Sequence, residues 1–204
     1  MFDKTVLAAK ALTRSGALKF GDFKLKSGMF SPYYVDLTCL LSSPEDFEYI
    51  VNLVAEKLKS ILSSREVDKL ATIELKGALL LPSVACKLRM PCVIVRKESK
   101  TYGVTGRIAG GEISKGDRVV FFDDVVTTGG SKLEGIKPIE QSGGKIEGII
   151  VVVDREQGGK ELLEKQGYEV WSVTTITELV NALLSAGTLA RKQAEKILAY
   201  IKKK

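Results

Sequence analysis

The chain has 204 residues, 45% hydrophobic and 27% charged, a composition that folds around a core rather than staying disordered. It contains no histidine, which excludes Ser-His-Asp triads, histidine-based zinc catalysis and imidazole general bases together. The net charge is +6, but three of the positive charges form the terminal run Lys202–Lys204 and elsewhere lysines alternate with acids. The expected partner is therefore an anionic small molecule, not nucleic acid. Apolar runs such as Gly148–Val153 are too short to cross a membrane. Met1–Gly16 mixes charges into its apolar residues too early for a secretory signal, so a cytoplasmic protein is expected. Cys39, Cys86 and Cys92 form no CxxC pair and read as small buried residues rather than disulfides or zinc ligands.

No repeat or linker interrupts the sequence, and a single domain over residues 1–204 is the simplest parse. Residues 3–14 read as a helix, and the turn-rich stretch after it holds short strands at Phe23–Lys26 and Tyr33–Asp36. Ser43 to Asp46 combines an N-cap candidate, a proline at the first helical position and acids in the first turn, opening a helix to about Leu62. Strands are then predicted at Leu70–Ile73, Cys92–Val95, Arg118–Phe122, Ile146–Val153 and Glu169–Val173, with helices at Ala78–Leu88 and Gly159–Gln166. Ser131–Gln141 occupies the place of another helix, where Gly135 and Pro138 predict a late start or a kink. Thr188–Ile201 closes the chain as an amphipathic helix, with Leu189, Ala194, Ile197, Leu198 and Ile201 on one stripe. Continuously apolar strands separated by helices predict an α/β fold with a parallel sheet covered on both faces.

The informative stretch is "VVFFDDVVTTGGS", Val119–Ser131. In an open parallel sheet, ligands bind beyond the carboxyl ends of strands, and here the predicted strand ends in Asp123-Asp124. Two adjacent carboxylates suit vicinal hydroxyls or a bound cation. The small residues after them, Val126 to Ser131, let backbone amides turn inward around a phosphate. Thr127, Thr128 and Ser131 add hydroxyl donors, and the start of a helix adds a favourable dipole. An ordinary strand-to-helix turn would need one acid and one glycine, not two of each with three hydroxyls. No GxxxxGK[ST] or GxGxxG occurs. The chemistry described is that of a ribose 5-phosphate site.

This stretch closely resembles the phosphoribosyl-diphosphate motif of type I phosphoribosyltransferases, and Leu18–Asp36, "LKFGDFKLKSGMFSPYYVD", resembles the hood segment of orotate phosphoribosyltransferases. The resemblance spans roughly residues 18–159. It implies the type I fold, a central parallel sheet flanked by helices, with a hood from roughly residues 1–40 plus the C-terminal helix over a core of roughly 44–185. In Ile94–Gly111, Arg96, Lys97 and Lys100 match the basic positions of the family's mobile catalytic loop, with Tyr102 where many members have histidine. Lys76 and Gly77 match its pyrophosphate loop. Departures in the hood are Met29-Phe30 in place of basic residues and Asp36 where Asn is common.

What the resemblance implies is transfer of phosphoribosyl from 5-phosphoribosyl 1-diphosphate to orotate, giving orotidine 5′-phosphate and pyrophosphate. Lys26, Lys76, Arg96, Lys97 and Lys100 would meet the phosphates, with Val125, Val126, Thr127, Thr128, Gly129, Gly130 and Ser131 forming the 5′-phosphate cradle. Lys26, Tyr33, Tyr34, Thr127 and Arg155 would adjoin orotate, an arginine fork suiting its planar carboxylate. Lys100, Asp123 and Asp124 would be catalytic. Mg²⁺ would be held mainly by substrate, with Asp123 and Asp124 as candidate protein ligands. A homodimer with shared sites is also implied. Two other readings stay open: transfer to a purine or uracil, and a non-enzymatic sensor of the diphosphate.

Overall fold

The computed structural model describes residues 3–24, 28–100 and 106–202. Helix α1 (Lys4–Arg14) starts at Asp3, whose carboxylate accepts from the Thr5 amide. A hairpin follows, β1 (Leu18–Lys24) against β2 (Phe30–Val35), pairing Phe20 with Tyr33 and carrying an irregularity between Phe20 and Phe23. Both strands begin earlier than their sequence patterns suggest. After a short 3-10 turn comes α2 (Pro44–Leu62), with proline in its first turn as expected. Ser43 makes no capping bond to the backbone there; its hydroxyl donates to Asp46, which also pairs with Arg14 of α1.

The main sheet and the helices that follow its strands are, in chain order, β3 (Lys69–Ile73), α3 (Lys76–Leu88), β4 (Cys92–Lys100), β5 (Gly106–Ala109), β6 (Arg118–Val126), α4 (Gly130–Gln141), β7 (Lys145–Asp154), α5 (Gly159–Lys165), β8 (Val170–Thr175), α6 (Ile176–Ser185) and α7 (Arg191–Lys202). Its six strands run in the order β5-β4-β3-β6-β7-β8, parallel except for the β4–β5 edge pair. Alternation along β6 shows why both faces are apolar. Val120 and Phe122 enter the core under α1, α2, α3, α6 and α7, whereas Val119 and Phe121 enter the core under α4 and α5.

Several expectations are corrected. Strand β6 does not end at Phe122 but continues to Val126, so Asp123 and Asp124 lie inside a strand. Helix α4 begins at Gly130 rather than late and runs through Pro138. Pro138 lies inside it and removes the bond that an N–H there would give to the Glu134 carbonyl, but the helix has only three residues left to run. A side chain at Gly135 would meet the Phe121 ring at 2.5 Å, so this glycine lets α4 lie directly on β6. Helix α6 and the short strand β5 were not anticipated. No cysteine is fully buried: Cys39 and Cys92 are partly covered, Cys86 is exposed, and all three are free.

Candidate active site

The last β3–β6 rung is Thr72–Phe122, so the two acids of β6 lie beyond the last rung it shares with β3, where a cavity opens. The cavity holds about 640 Å³. Asp123 and Asp124 are only 5% and 6% exposed. Both Asp123 oxygens are engaged: Oδ1 accepts from the Asp124 amide at 2.9 Å, and Oδ2 lies 2.7 Å from Lys132 Nζ. Lys132 is itself buried, and its ammonium also donates to the Val125 carbonyl and to Ser131 Oγ at 3.3 Å. One cation thus ties the acid pair to the turn that follows it. Asp124 has no ion-pair partner among the described residues. Burial first, then the Asp123 charge, push its carboxyl up to about 7, against the pull of Lys132 and Lys76.

The turn is held by close backbone packing. Gly129 adopts φ 83°, the left-handed conformation that glycine takes without strain, and precedes α4 with no side-chain cap. The first amides of α4 are therefore available to an anion, with the helix dipole behind them. Gly159, which opens α5, lies so near that a Cβ there would stand 2.6 Å from the Thr127 carbonyl oxygen. Only a glycine lets α5 support the turn at this distance.

Lys76 is the first residue of α3 and pairs with Asp36 at 3.0 Å. Burial works against its charge, but Asp36 and Asp124 outweigh it and raise the ammonium above its ordinary range. The Lys97 amide donates to Glu74 Oε1 at 2.6 Å, fastening β4 to the loop before α3. Across the cavity, Arg155 follows β7. Its Nε and Nη2 are shielded from solvent and have no hydrogen-bond partner among the described residues. Its guanidinium carbon stands 5.0 Å from the centre of the Tyr33 ring. The cavity thus offers an acid pair, a turn that leads into open helix amides, three lysines (Lys76, Lys97 and Lys132) and an arginine with unpartnered nitrogens.

A phosphoribosyl transferase domain matches residues 45–182. The orotate phosphoribosyltransferase of Pyrococcus furiosus is 41% identical over 165 residues, covering 81% of this chain and 89% of that protein. The chain belongs to the orotate phosphoribosyltransferase family. A crystal structure of orotate phosphoribosyltransferase from Aeropyrum pernix superposes with a TM-score of 0.73 at 30% identity, over 89% of this chain and 99% of that one. The structure of Leishmania donovani UMP synthase gives a TM-score of 0.86 at 30% identity and covers 98% of this chain, which spans 42% of that longer protein.

Among the residues that resemblance to orotate phosphoribosyltransferases singles out, the cavity is lined by Asp123, Asp124, Val125, Thr127, Thr128 and Ser131 on one side. Lys76, Lys97, Tyr34 and Arg155 line the other parts of it. Val126 points into the core under α4, and Gly129 and Gly130 shape the turn without lining the cavity. Arg96 faces away from the cavity, its Nη1 donating to the Gly106 carbonyl at 3.1 Å, since neighbours on a strand alternate sides. Tyr33 is wholly buried behind Arg155, while Tyr34 is exposed to the cavity. Lys26, Tyr102 and the Lys100 side chain lie outside the described residues. Sequence reasoning missed Lys132 altogether. A lysine in the first turn of a helix reads as solvated, and only the path of α4 under β6 brings its ammonium back to Asp123.

Proposed function

We propose that this chain transfers the 5-phosphoribosyl group from 5-phosphoribosyl 1-diphosphate to orotate, releasing pyrophosphate and forming orotidine 5′-phosphate, a step of pyrimidine nucleotide synthesis in the cytoplasm. The observation that carries this reading is Arg155: it lines the same cavity as the acid pair and the phosphate turn, and two of its guanidinium nitrogens have no hydrogen-bond partner among the described residues. A shielded cation without an acceptor is costly, and a planar carboxylate on the accepting base would satisfy it with two parallel bonds. Hypoxanthine, adenine and uracil have no such group.

In this reading the 5′-phosphate occupies the turn from Val125 to Ser131, and its binding energy orients the ribose for reaction. Asp124 accepts from a ribose hydroxyl, while Asp123, fixed by Lys132, sets the position of its neighbour. As the bond from C1′ to the diphosphate oxygen breaks, the electron pair leaves with pyrophosphate and C1′ gains oxocarbenium character. The orotate ring nitrogen then forms the new bond to C1′. The acid pair stabilises positive charge on the sugar, and Lys76 and Lys97 stabilise negative charge on the departing oxygen. Lys26 and Lys100, matched by resemblance, complete the cationic shell.

Magnesium fits this donor set only as a substrate-borne ion. No group of three His, Cys, Asp or Glu among the described residues could hold a metal, and both Asp123 oxygens are already engaged. Asp124 is left as the protein oxygen ligand, which suits an ion that keeps its waters and phosphate oxygens. When bound, it would neutralise diphosphate charge. We further propose a homodimer in which Lys100 reaches the neighbouring site, the hood and core together forming one catalytic domain.

Arg155→Ala tests the assignment. The Michaelis constant for orotate should rise by roughly 5- to 150-fold, the equivalent of about 1–3 kcal/mol for a charged group stripped of its partner, while that for the sugar diphosphate stays within about twofold. Equal weakening of both substrates would remove Arg155 from the orotate site.

A further inference from the structure

The two tyrosines of β2 are adjacent, so the strand sends them to opposite sides. Tyr34 lines the cavity, whereas Tyr33 is 0% exposed and does not. Its ring is instead sandwiched. The Arg155 guanidinium carbon lies 5.0 Å from the ring centroid, and the Tyr200 ring of α7 meets it edge-on at 6.1 Å and 85°. The Tyr33 hydroxyl donates to the Arg155 carbonyl at 3.4 Å and accepts from Gln157 Nε2 at 3.2 Å. Hood, C-terminal helix and the loop after β7 therefore converge on one aromatic ring. The charge that this ring contacts is the one with no hydrogen-bond partner on Nε or Nη2.

We propose that Tyr33 is a positioning residue for the accepting base: it never touches orotate but holds the Arg155 guanidinium from behind, fixing the plane in which it meets the carboxylate. The proposal rests on the assignment of Arg155 to that carboxylate. A ring face attracts a cation through its quadrupole, and the attraction is strongest where water is excluded, as it is at this ring.

The test separates electrostatics from packing. Phenylalanine and its mono-, di- and trifluoro derivatives are placed at position 33 by suppression of a stop codon, in the full-length protein. Fluorination keeps the ring's shape and weakens its negative face. The Michaelis constant for orotate should climb stepwise along the series, about tenfold from phenylalanine to the trifluoro ring, with that for the sugar diphosphate steady. A flat series in folded protein overturns the proposal, because a ring that only filled space would give one.

The cycle of Tyr33→Leu with Arg155→Ala distinguishes this failure from failure of the functional reading. If Tyr33 acts through Arg155, Tyr33→Leu raises the orotate constant in the wild-type background and leaves it unchanged within about twofold in the Arg155→Ala background. A further rise in that second background would mean that Tyr33 meets the base directly, which overturns the positioning role while leaving orotate in place. An Arg155→Ala protein with unaltered orotate affinity would overturn both. Should Tyr33→Leu fail to fold, the fluorinated series, whose members share one ring shape and all lack the hydroxyl, still decides.

Discussion

Lys132→Met should lower the melting temperature by roughly 6–20 °C in a chain of this size. The pair it breaks is buried on both sides, with side-chain exposures of 5% for Lys132 and 7% for Asp123. Removing one partner of such a pair typically costs about 3–5 kcal/mol, because a carboxylate is then stranded away from water. Methionine is unbranched and only one heavy atom shorter than lysine, so cavity formation adds little to the loss. The Val125 carbonyl and Ser131 hydroxyl lose the same donor, and the constant for the sugar diphosphate should rise with the loss of order in the phosphate turn. Adding Asp123→Asn should recover at least half of the lost melting temperature, since the stranded charge is gone. Thermal unfolding followed by circular dichroism reads both variants. A Lys132→Met protein that melts with the wild type would show that the ammonium does not neutralise Asp123.

Mixing two inactive proteins should restore activity. Lys100→Ala and Asp124→Asn are each expected to reduce turnover to near zero, one by removing a cation at the leaving pyrophosphate and the other by removing the ribose carboxylate. Unfolding and refolding the two together exchanges subunits at random. If Lys100 serves the neighbouring site, half the dimers are mixed and each of these has one site with both groups intact. Activity then returns to roughly one quarter of wild type for independent sites in a twofold dimer. If Lys100 serves its own subunit, every site keeps one lesion and nothing returns. Mass spectrometry confirms that exchange has taken place, so absence of recovery would place Lys100 in its own subunit's site.

The parts of this structure that were legible in the sequence are those specified by local chemistry. The β6 stretch carries its apolar alternation, its acids and its small hydroxyl residues within a few positions, and the cavity assembles them in that order. Helix α6 was legible and missed: Thr175 and Glu178 form a reciprocal capping box, a spacing visible in "TITE". The opposite orientations of Tyr33 and Tyr34 follow from strand period, although their resemblance to an aromatic pair at the base suggested a shared role. Strand β5 has only four residues and no fully buried side chain, so no periodicity announces it. Lys132 was not legible. Its partner is nine positions earlier, across a turn whose geometry depends on Gly159 of a different element. Tertiary approach of this kind leaves no mark in spacing or composition.

The most direct measurement compares orotate with uracil, the same ring without the carboxylate, as acceptors in the presence of 5-phosphoribosyl 1-diphosphate and magnesium, with hypoxanthine, guanine and adenine alongside. A site built to bond a group that is then missing discriminates by about 10⁴-fold or more, because its own polar atoms are left unpaired. If Arg155 holds the orotate carboxylate, kcat/KM for orotate lies at least that far above that for uracil, with product and pyrophosphate formed in equal amounts and no purine accepted. Comparable rates for orotate and uracil, or preference for a purine, would contradict it.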